Sequence, residues 1–245
     1  MIPSMERAVT EDALLDGRVR LLQPARGYRV AIDAVLLAAA VDAAPQARIL
    51  DLGAGVGAVG LCLATRLPGC SVVGIELQAA LAELAERNAA LNGMSSRVRT
   101  VVHDLARPLP EGLGPFDRVV SNPPYLAAAV ADPSPDRRKA LATVESSADL
   151  ARWLTVATDA AKPAGSLLLI HRSDRLEEII ERLSQLGWSD VATKPLRPAA
   201  RVLLRARRAD APRRYDAPPL VLHQPDGRYT DQAEAILRHA APLAF

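Results

Sequence analysis

The sequence predicts a doubly wound α/β domain, and three observations carry that reading. Short, almost wholly apolar segments recur through the middle of the chain, a stretch with helical spacing of apolar residues follows most of them, and a glycine cluster joins the first such pair. Strands without polar alternation are covered on both faces, and strands that alternate with helices pair in parallel through crossovers.

The elements follow in order. Residues 48–52 (RILDL) form the first apolar strand, and a helix runs from about Val56 to Leu67. Residues 71–76 (SVVGIE) form the next strand. In 78–93, Leu81, Leu84, Ala85 and Leu91 keep helical spacing and Gly93 is placed to cap the end. Strands are expected at 98–103 and 116–122, then a helix over 146–162 ending near Pro163. A strand at 165–171, a helix over 174–186, and strands near 188–193 and at 201–207 complete the series. A small N-terminal helical arm precedes this core and a basic hairpin closes it. The expected organisation is one domain over residues 1–245: an arm and helix in 1–45, a ligand-binding core in 46–194, and basic strands with a tail in 195–245.

A chain of 245 residues is long enough to bury a large core, and its near-balanced charge and 49% hydrophobic content fit a soluble globular protein. Cys62 and Cys70 have no His or Cys at a metal-ligand spacing, so they read as small apolar filler and no metal is expected. The N-terminus carries acidic residues where a signal peptide needs an apolar stretch, and the longest uncharged apolar run, 34–41, is too short to span a bilayer. The expected location is cytoplasmic, with no membrane partner. The pattern does not specify an oligomeric state. Charge is uneven, however: residues 194–214 hold eight Lys/Arg against one Asp, which leaves the rest of the chain net acidic. Such asymmetry fits either an anionic partner or a charged edge strand that blocks aggregation.

The first chemical signal is DLGAGVGAVG, residues 51–60. Gly53, Gly55 and Gly57, between a strand and a helix, allow a tight turn and close approach of a ligand to the main chain and helix N-terminus. Glu76 ends the next strand, where an acid can hold ribose hydroxyls. These features fit NAD and S-adenosylmethionine about equally. Asp51 tips the reading to the methyl donor, whose ammonium group needs an anionic neighbour. Asp104 ends the third strand, where it can accept from an adenine amino group or cap the following turn, and Leu105 can pack on the ring. His103 reads as a strand residue satisfied locally.

The second signal is SNPPY, in which Asn122, Pro123, Pro124 and Tyr125 close the fourth strand. In open α/β sheets ligands bind beyond the carboxyl ends of the strands, so this tetrapeptide faces the glycine loop. Two prolines fix φ and remove two N–H donors, which leaves carbonyl oxygens to accept. Asn122 and Pro123 can accept both hydrogens of an exocyclic amine and aim its lone pair at a methyl sulfonium. Tyr125 can stack on the ring that bears the amine, an interaction worth roughly 1–3 kcal/mol for a nucleobase.

In this order DLGAGVG, GIEL, HDL and SNPPY resemble the class I S-adenosylmethionine-dependent methyltransferases that methylate amino groups. The wider chain, from the segment Gln23–Ala38 to LVLHQPDGRYT, resembles the bacterial tRNA adenine-N6 methyltransferases. The resemblance implies a Rossmann-like seven-stranded sheet, S-adenosylmethionine as cofactor, and tRNA as partner, with an adenosine next to the anticodon of a valine tRNA as target. It implies cofactor contacts at Leu77 and Asn122 and near Tyr28 and Asp33, although a packed Tyr and a helix-capping Asp fit the last two equally. Release-factor glutamine methyltransferases share NPPY. They carry a helical domain before the glycine loop, and only 50 residues precede Asp51 here. DNA adenine methyltransferases need an added target-recognition region for which there is no room. A nicotinamide-dependent oxidoreductase leaves NPPY unexplained.

Two basic clusters are candidates for RNA contact. Arg137, Arg138 and Lys139 follow NPPYL in a loop-like composition, and strand alternation puts Arg201, Arg205 and Arg207 on one face of the last strand.

Overall fold

A computed structural model describes residues 9–26, 29–123 and 149–245. The chain opens with β1 (Val9–Leu14) and β2 (Val19–Pro24), an antiparallel pair, followed by α1 (Ile32–Ala39). The expected helical arm is therefore a β-hairpin with a helix only at its end. The reason is a period of two: Val19, Leu21 and Gln23 are buried while Arg20 is exposed, and Gly17 turns the chain at φ +82°.

The core then runs β3 (Arg48–Leu52), α2 (Ala58–Arg66), β4 (Ser71–Glu76), α3 (Ala79–Leu91), β5 (Val98–Val102) and β6 (Phe116–Ser121). After the next described residue, Asp149, come α4 (Leu150–Ala160), β7 (Ala161–Arg172), α5 (Leu176–Gln185), β8 (Asp190–Arg197), β9 (Arg201–Arg207), β10 (Arg213–Asp216), β11 (Leu220–Val221) and α6 (Asp231–His239). Asp149 caps α4 by accepting from the Arg152 backbone N–H at 2.8 Å. Pro163 lies inside β7, near its start, where the register against β6 shifts between Phe116 and Arg118.

The sheet order is β10-β8-β9-β7-β6-β3-β4-β5, with β11 also beside β8. Seven of these strands make the expected sheet, and β10 and β11 extend it along the outer edge of β8. All pairings are parallel except those of β9 with β7 and β8. The basic hairpin is thus β8 and β9, but β9 is an interior strand, with Val202, Leu203, Leu204 and Ala206 buried. An edge-strand role for its arginines is excluded.

Successive strand residues serve opposite faces. Val120, Leu168, Ile170 and Leu203 pack with α1, α2, α3 and α6, whereas Val119, Leu167, Leu169 and Leu204 pack with α4 and α5. Cys62 and Cys70 are free and buried, as expected of filler. Because the order reverses between β3 and β6, a crevice opens beyond their carboxyl ends.

Candidate active site at the carboxyl edge of the sheet

The glycine loop leaves β3 beside the end of β4. Backbone N–H groups of Gly53 and Ala54 both donate to Ile75 O at 2.9 Å, which ties the turn to the neighbouring strand. Gly53, Gly55 and Gly57 have φ of +76°, +57° and +84°, a region that side chains rarely adopt. A Cβ on Gly53 would come within 2.5 Å of the Trp153 ring, and one on Gly57 within 3.2 Å of Ala85 Cβ. At Gly55 a Cβ would meet nothing within 4 Å, so this glycine leaves open space rather than a packed contact.

Two carboxylates flank the loop. Glu76 is buried at the end of β4 and accepts from Gly55 N–H and Gln78 N–H, each at 2.8 Å, one on each oxygen. Burial raises its pKa, and these backbone donors oppose the rise. Asp51 is buried in β3, and its Oδ2 has no partner among the described residues. Burial, reinforced by the charge of Glu76, pushes its pKa up to about 7.

Two supports of this loop are absent from the sequence reading. Asn88, fully buried in α3, donates to Val56 O and Leu22 O at 2.9 Å and accepts from Leu22 N–H at 2.7 Å, which locks the glycine loop to the amino-terminal hairpin. A lone Asn on the apolar stripe of a predicted helix is the signal that could have found it. Trp153 of α4 covers Gly53 from the other face of the sheet.

Beyond β5, Asp104 Oδ1 accepts from Ala106 N–H at 2.9 Å, so the turn-capping role is present. Leu105 is buried, its carbonyl held by Arg152 Nε at 2.8 Å, while Leu77 is 41% exposed beside Glu76. His103 is less satisfied than expected: its backbone N–H donates to Glu76 O at 3.0 Å, but its buried Nε2 has no partner among the described residues.

At β6, Ser121 Oγ donates to Leu52 O at 2.8 Å and joins this strand end to the start of the glycine loop. Asn122 is half-buried and Pro123 buried immediately beyond it. The topology therefore brings Asp51, Gly53, Gly55, Gly57, Glu76, Leu77, Asp104, Leu105, Asn122 and Pro123 to one edge. Tyr28, Pro124, Tyr125, Arg137, Arg138 and Lys139 lie outside the described residues.

The basic strand is not gathered at this edge. Because β9 is antiparallel, Arg201 pairs with Arg172 at the carboxyl end of β7, and Arg207 pairs with Ser166 near the opposite end. Six residues at about 3.3 Å each separate them by roughly 20 Å. Arg201 Nη1 bonds Oδ1 of Asp33 at 2.9 Å, and Arg205 lies 5.0 Å from the centroid of the Phe245 ring. Asp33 does not cap α1, which has no side-chain cap; it sits in the first turn.

Among the described residues no group of three or more His, Cys, Asp or Glu is placed to hold a metal, and no helix is long and apolar enough to cross a membrane.

A family model for the methyltransferase small domain matches residues 28–181. A Porphyromonas gingivalis relative named tRNA1(Val) (adenine(37)-N6)-methyltransferase is 33% identical over 83% of this chain and 85% of its own. A Klebsiella pneumoniae relative of the same name is 32% identical over 72% and 74%. A release factor glutamine methyltransferase from Chlorobaculum tepidum is 42% identical, but over only 38% of this chain and 33% of its own. A solved structure from Agrobacterium tumefaciens, titled as a predicted O-methyltransferase, superposes with a TM-score of 0.71 at 26% identity over 87% of this chain and 99% of that one. The protein belongs to the methyltransferase small domain family, within the class I S-adenosylmethionine-dependent methyltransferases.

Proposed function

We propose that the protein methylates the exocyclic N6 amine of an adenosine in tRNA, in the anticodon loop of a valine tRNA. The observation that carries this reading is the end of β6, where Asn122 and Pro123 of SNPPY stand beside the glycine loop in a chain whose tRNA-modifying relatives match along most of its length.

The residues present fit S-adenosylmethionine. Asp51 Oδ2 is a buried acceptor without a partner among the described residues, suited to an ammonium group, and the Glu76 carboxylate has acceptor capacity for a ribose hydroxyl beyond its backbone donors. Leu77 offers exposed apolar surface for an adenine ring, the buried Leu105 can present only its edge, and Gly55 leaves the space. When bound, the cofactor supplies an electrophilic methyl group on a sulfonium.

The chain's own work is positioning. The side-chain oxygen of Asn122 and the carbonyl of Pro123 accept the two amine hydrogens, which turns the nitrogen lone pair out of the ring plane. Tyr125 stacks on the base. No dedicated base is needed, because the methylated nitrogen is strongly acidic and releases its proton readily; holding the reactants in line supplies most of the acceleration. An anticodon loop suits such a site, since its bases are partly unstacked already. Arg137, Arg138 and Lys139 are proposed phosphate contacts, and Arg205 and Arg207 can serve only RNA that reaches the far edge of the sheet. We place the protein in the cytoplasm, where tRNA is modified.

The test is transfer of label from S-adenosylmethionine to total tRNA from a strain lacking the gene, followed by nucleoside digestion and mass spectrometry. N6-methyladenosine is expected. Label in a release-factor glutamine, with none in RNA, would overturn the substrate and keep the amine chemistry.

A further inference from the structure

We propose that Arg201 is a positioning residue for methyl transfer, which fixes the amino end of α1 at the carboxyl edge of the sheet through its ion pair with Asp33. The inference rests on the methyl-transfer reading of this edge. Asp33 has a side chain only 2% exposed, and Arg201 Nη1 meets its Oδ1 at 2.9 Å. Arg201 opens β9 at the carboxyl edge, paired with Arg172 of β7 and Leu196 of β8. Two strand spacings of about 4.8 Å separate β9 from β6, and Arg201 stands two residues further out along the strand direction, so its backbone lies roughly 12 Å from that of Asn122.

The electrostatics tie Arg201 to Asp33 in particular. An acid in the first turn of a helix is favoured by the macrodipole, and a cation there is disfavoured. Asp33 is the acid of that turn, and α1 has no side-chain cap. The guanidinium stands at the end of the helix that disfavours a cation, and the buried carboxylate of Asp33 offsets that repulsion.

The pair completes a set of ties on this segment. Val30 N–H donates to Gln23 Oε1 at 2.9 Å and Arg29 donates to Asp12, which fix the chain entering α1 to the hairpin. At the other end of α1, Arg118 Nε donates to Asp42 O at 2.7 Å. Asp33–Arg201 joins the amino end of the helix to the sheet at the rim of the crevice. The body of α1 is held by packing against the sheet and α2, whereas this ion pair sets the position of its first turn, and displacements of an ångström at such a site cost large factors in rate.

The experiment uses the full chain with Arg201→Ala, Arg201→Lys, Asp33→Asn and the Ala/Asn double variant. Three readouts are taken: S-adenosylmethionine affinity by calorimetry without RNA, single-turnover methyl transfer to tRNA, and the salt dependence of tRNA binding. We expect Arg201→Ala to lower the transfer rate at least tenfold with tRNA affinity and its salt slope unchanged. Arg201→Lys should restore the rate to within about threefold, and the double variant should be no worse than the worse single one. A rate within twofold of wild type in Arg201→Ala overturns the proposal. So does a salt slope lower by about 0.7, the loss of one phosphate contact. If Arg201→Ala does not fold, Asp33→Asn, which keeps the shape and removes the charge, decides by the same criteria. Failure of the tRNA reading itself would look different: wild type would transfer no label to tRNA while still binding cofactor.

Discussion

The backbone N–H of Gly55 donates to Oε2 of Glu76 at 2.8 Å, across 21 residues of sequence. The acid at the end of β4 therefore shapes the glycine loop at the end of β3 before any ligand arrives. Its second oxygen holds Gln78 N–H, so one side chain organises both walls of the crevice.

Replacing Glu76 by Gln should therefore weaken cofactor binding in two ways. The carboxamide turns an NH2 donor toward one of the two backbone donors, and it loses an acceptor for a ribose hydroxyl. Hydrogen bonds to charged groups contribute about 1.5–3 kcal/mol, which corresponds to a loss of roughly 10- to 100-fold in affinity. Calorimetric titration with S-adenosylmethionine checks this, and an affinity within twofold of wild type would remove Glu76 from the cofactor site.

Gly53 should tolerate no side chain. At φ +76°, and with the Trp153 ring 2.5 Å from where a Cβ would stand, Gly53→Ala combines backbone strain with overpacking. Each costs on the order of 1–3 kcal/mol. Urea unfolding should show a loss of about 2–5 kcal/mol, of which Trp153→Ala in the same chain should recover the steric part but not the strain. Simple additivity of the two substitutions would show that the ring does not press on the loop.

How much of this is legible in the sequence depends on how far apart the interacting residues lie along the chain. The strands β3 to β6 and β9 announce themselves by local apolar runs, and the spacing from Gly55 to Glu76 follows from one crossover. The ion pair of Asp33 with Arg201 spans 168 residues and the Asn88 contacts with Leu22 span 66, so neither leaves a periodic trace. The interior position of β9 is hidden for a related reason: its arginines look like an edge, but its place is set by pairing with β7 and β8. In the hairpin β1–β2 the alternation is present, yet exposed acids and arginines mask its short buried stripe.

Asn122→Ala should separate chemistry from cofactor binding. The side chain's proposed work is to accept one hydrogen of the substrate amine, an interaction that matters most as the lone pair turns toward the methyl group. Removing one preorganised polar contact of this kind costs on the order of 10²-fold in turnover. Cofactor affinity should stay within about threefold. Turnover near the wild-type rate would refute the assigned role of SNPPY.

Asp51 should give the apoprotein a distinctive pH dependence. Burial and the charge of Glu76 push its pKa up to about 7, well above the ordinary carboxylate range. A raised folded-state value means that the fold favours the protonated acid. The contribution to stability is complete below an unfolded pKa of about 4 and is lost as pH rises through about 7. Glu76 is shifted in the same direction. Other acids oppose the trend: at Asp117, for example, burial pushes upward but the bond from Lys162 and further donors outweigh it and hold the carboxyl low, so the difference between variant and wild type is the useful quantity. Asp51→Asn removes the titration, and its stability relative to wild type should rise steadily from about pH 4 to about pH 7 and level off above it in chemical unfolding. Cofactor binding should show the reverse coupling, because an ammonium group favours the ionised carboxylate. Wild-type affinity for S-adenosylmethionine should increase with pH up to about 7 and level off above it, at up to about tenfold per unit, whereas Asp51→Asn should bind weakly with a flatter profile. Equal pH slopes in the two proteins would assign the titration to another group and leave Asp51 with a purely structural place in β3.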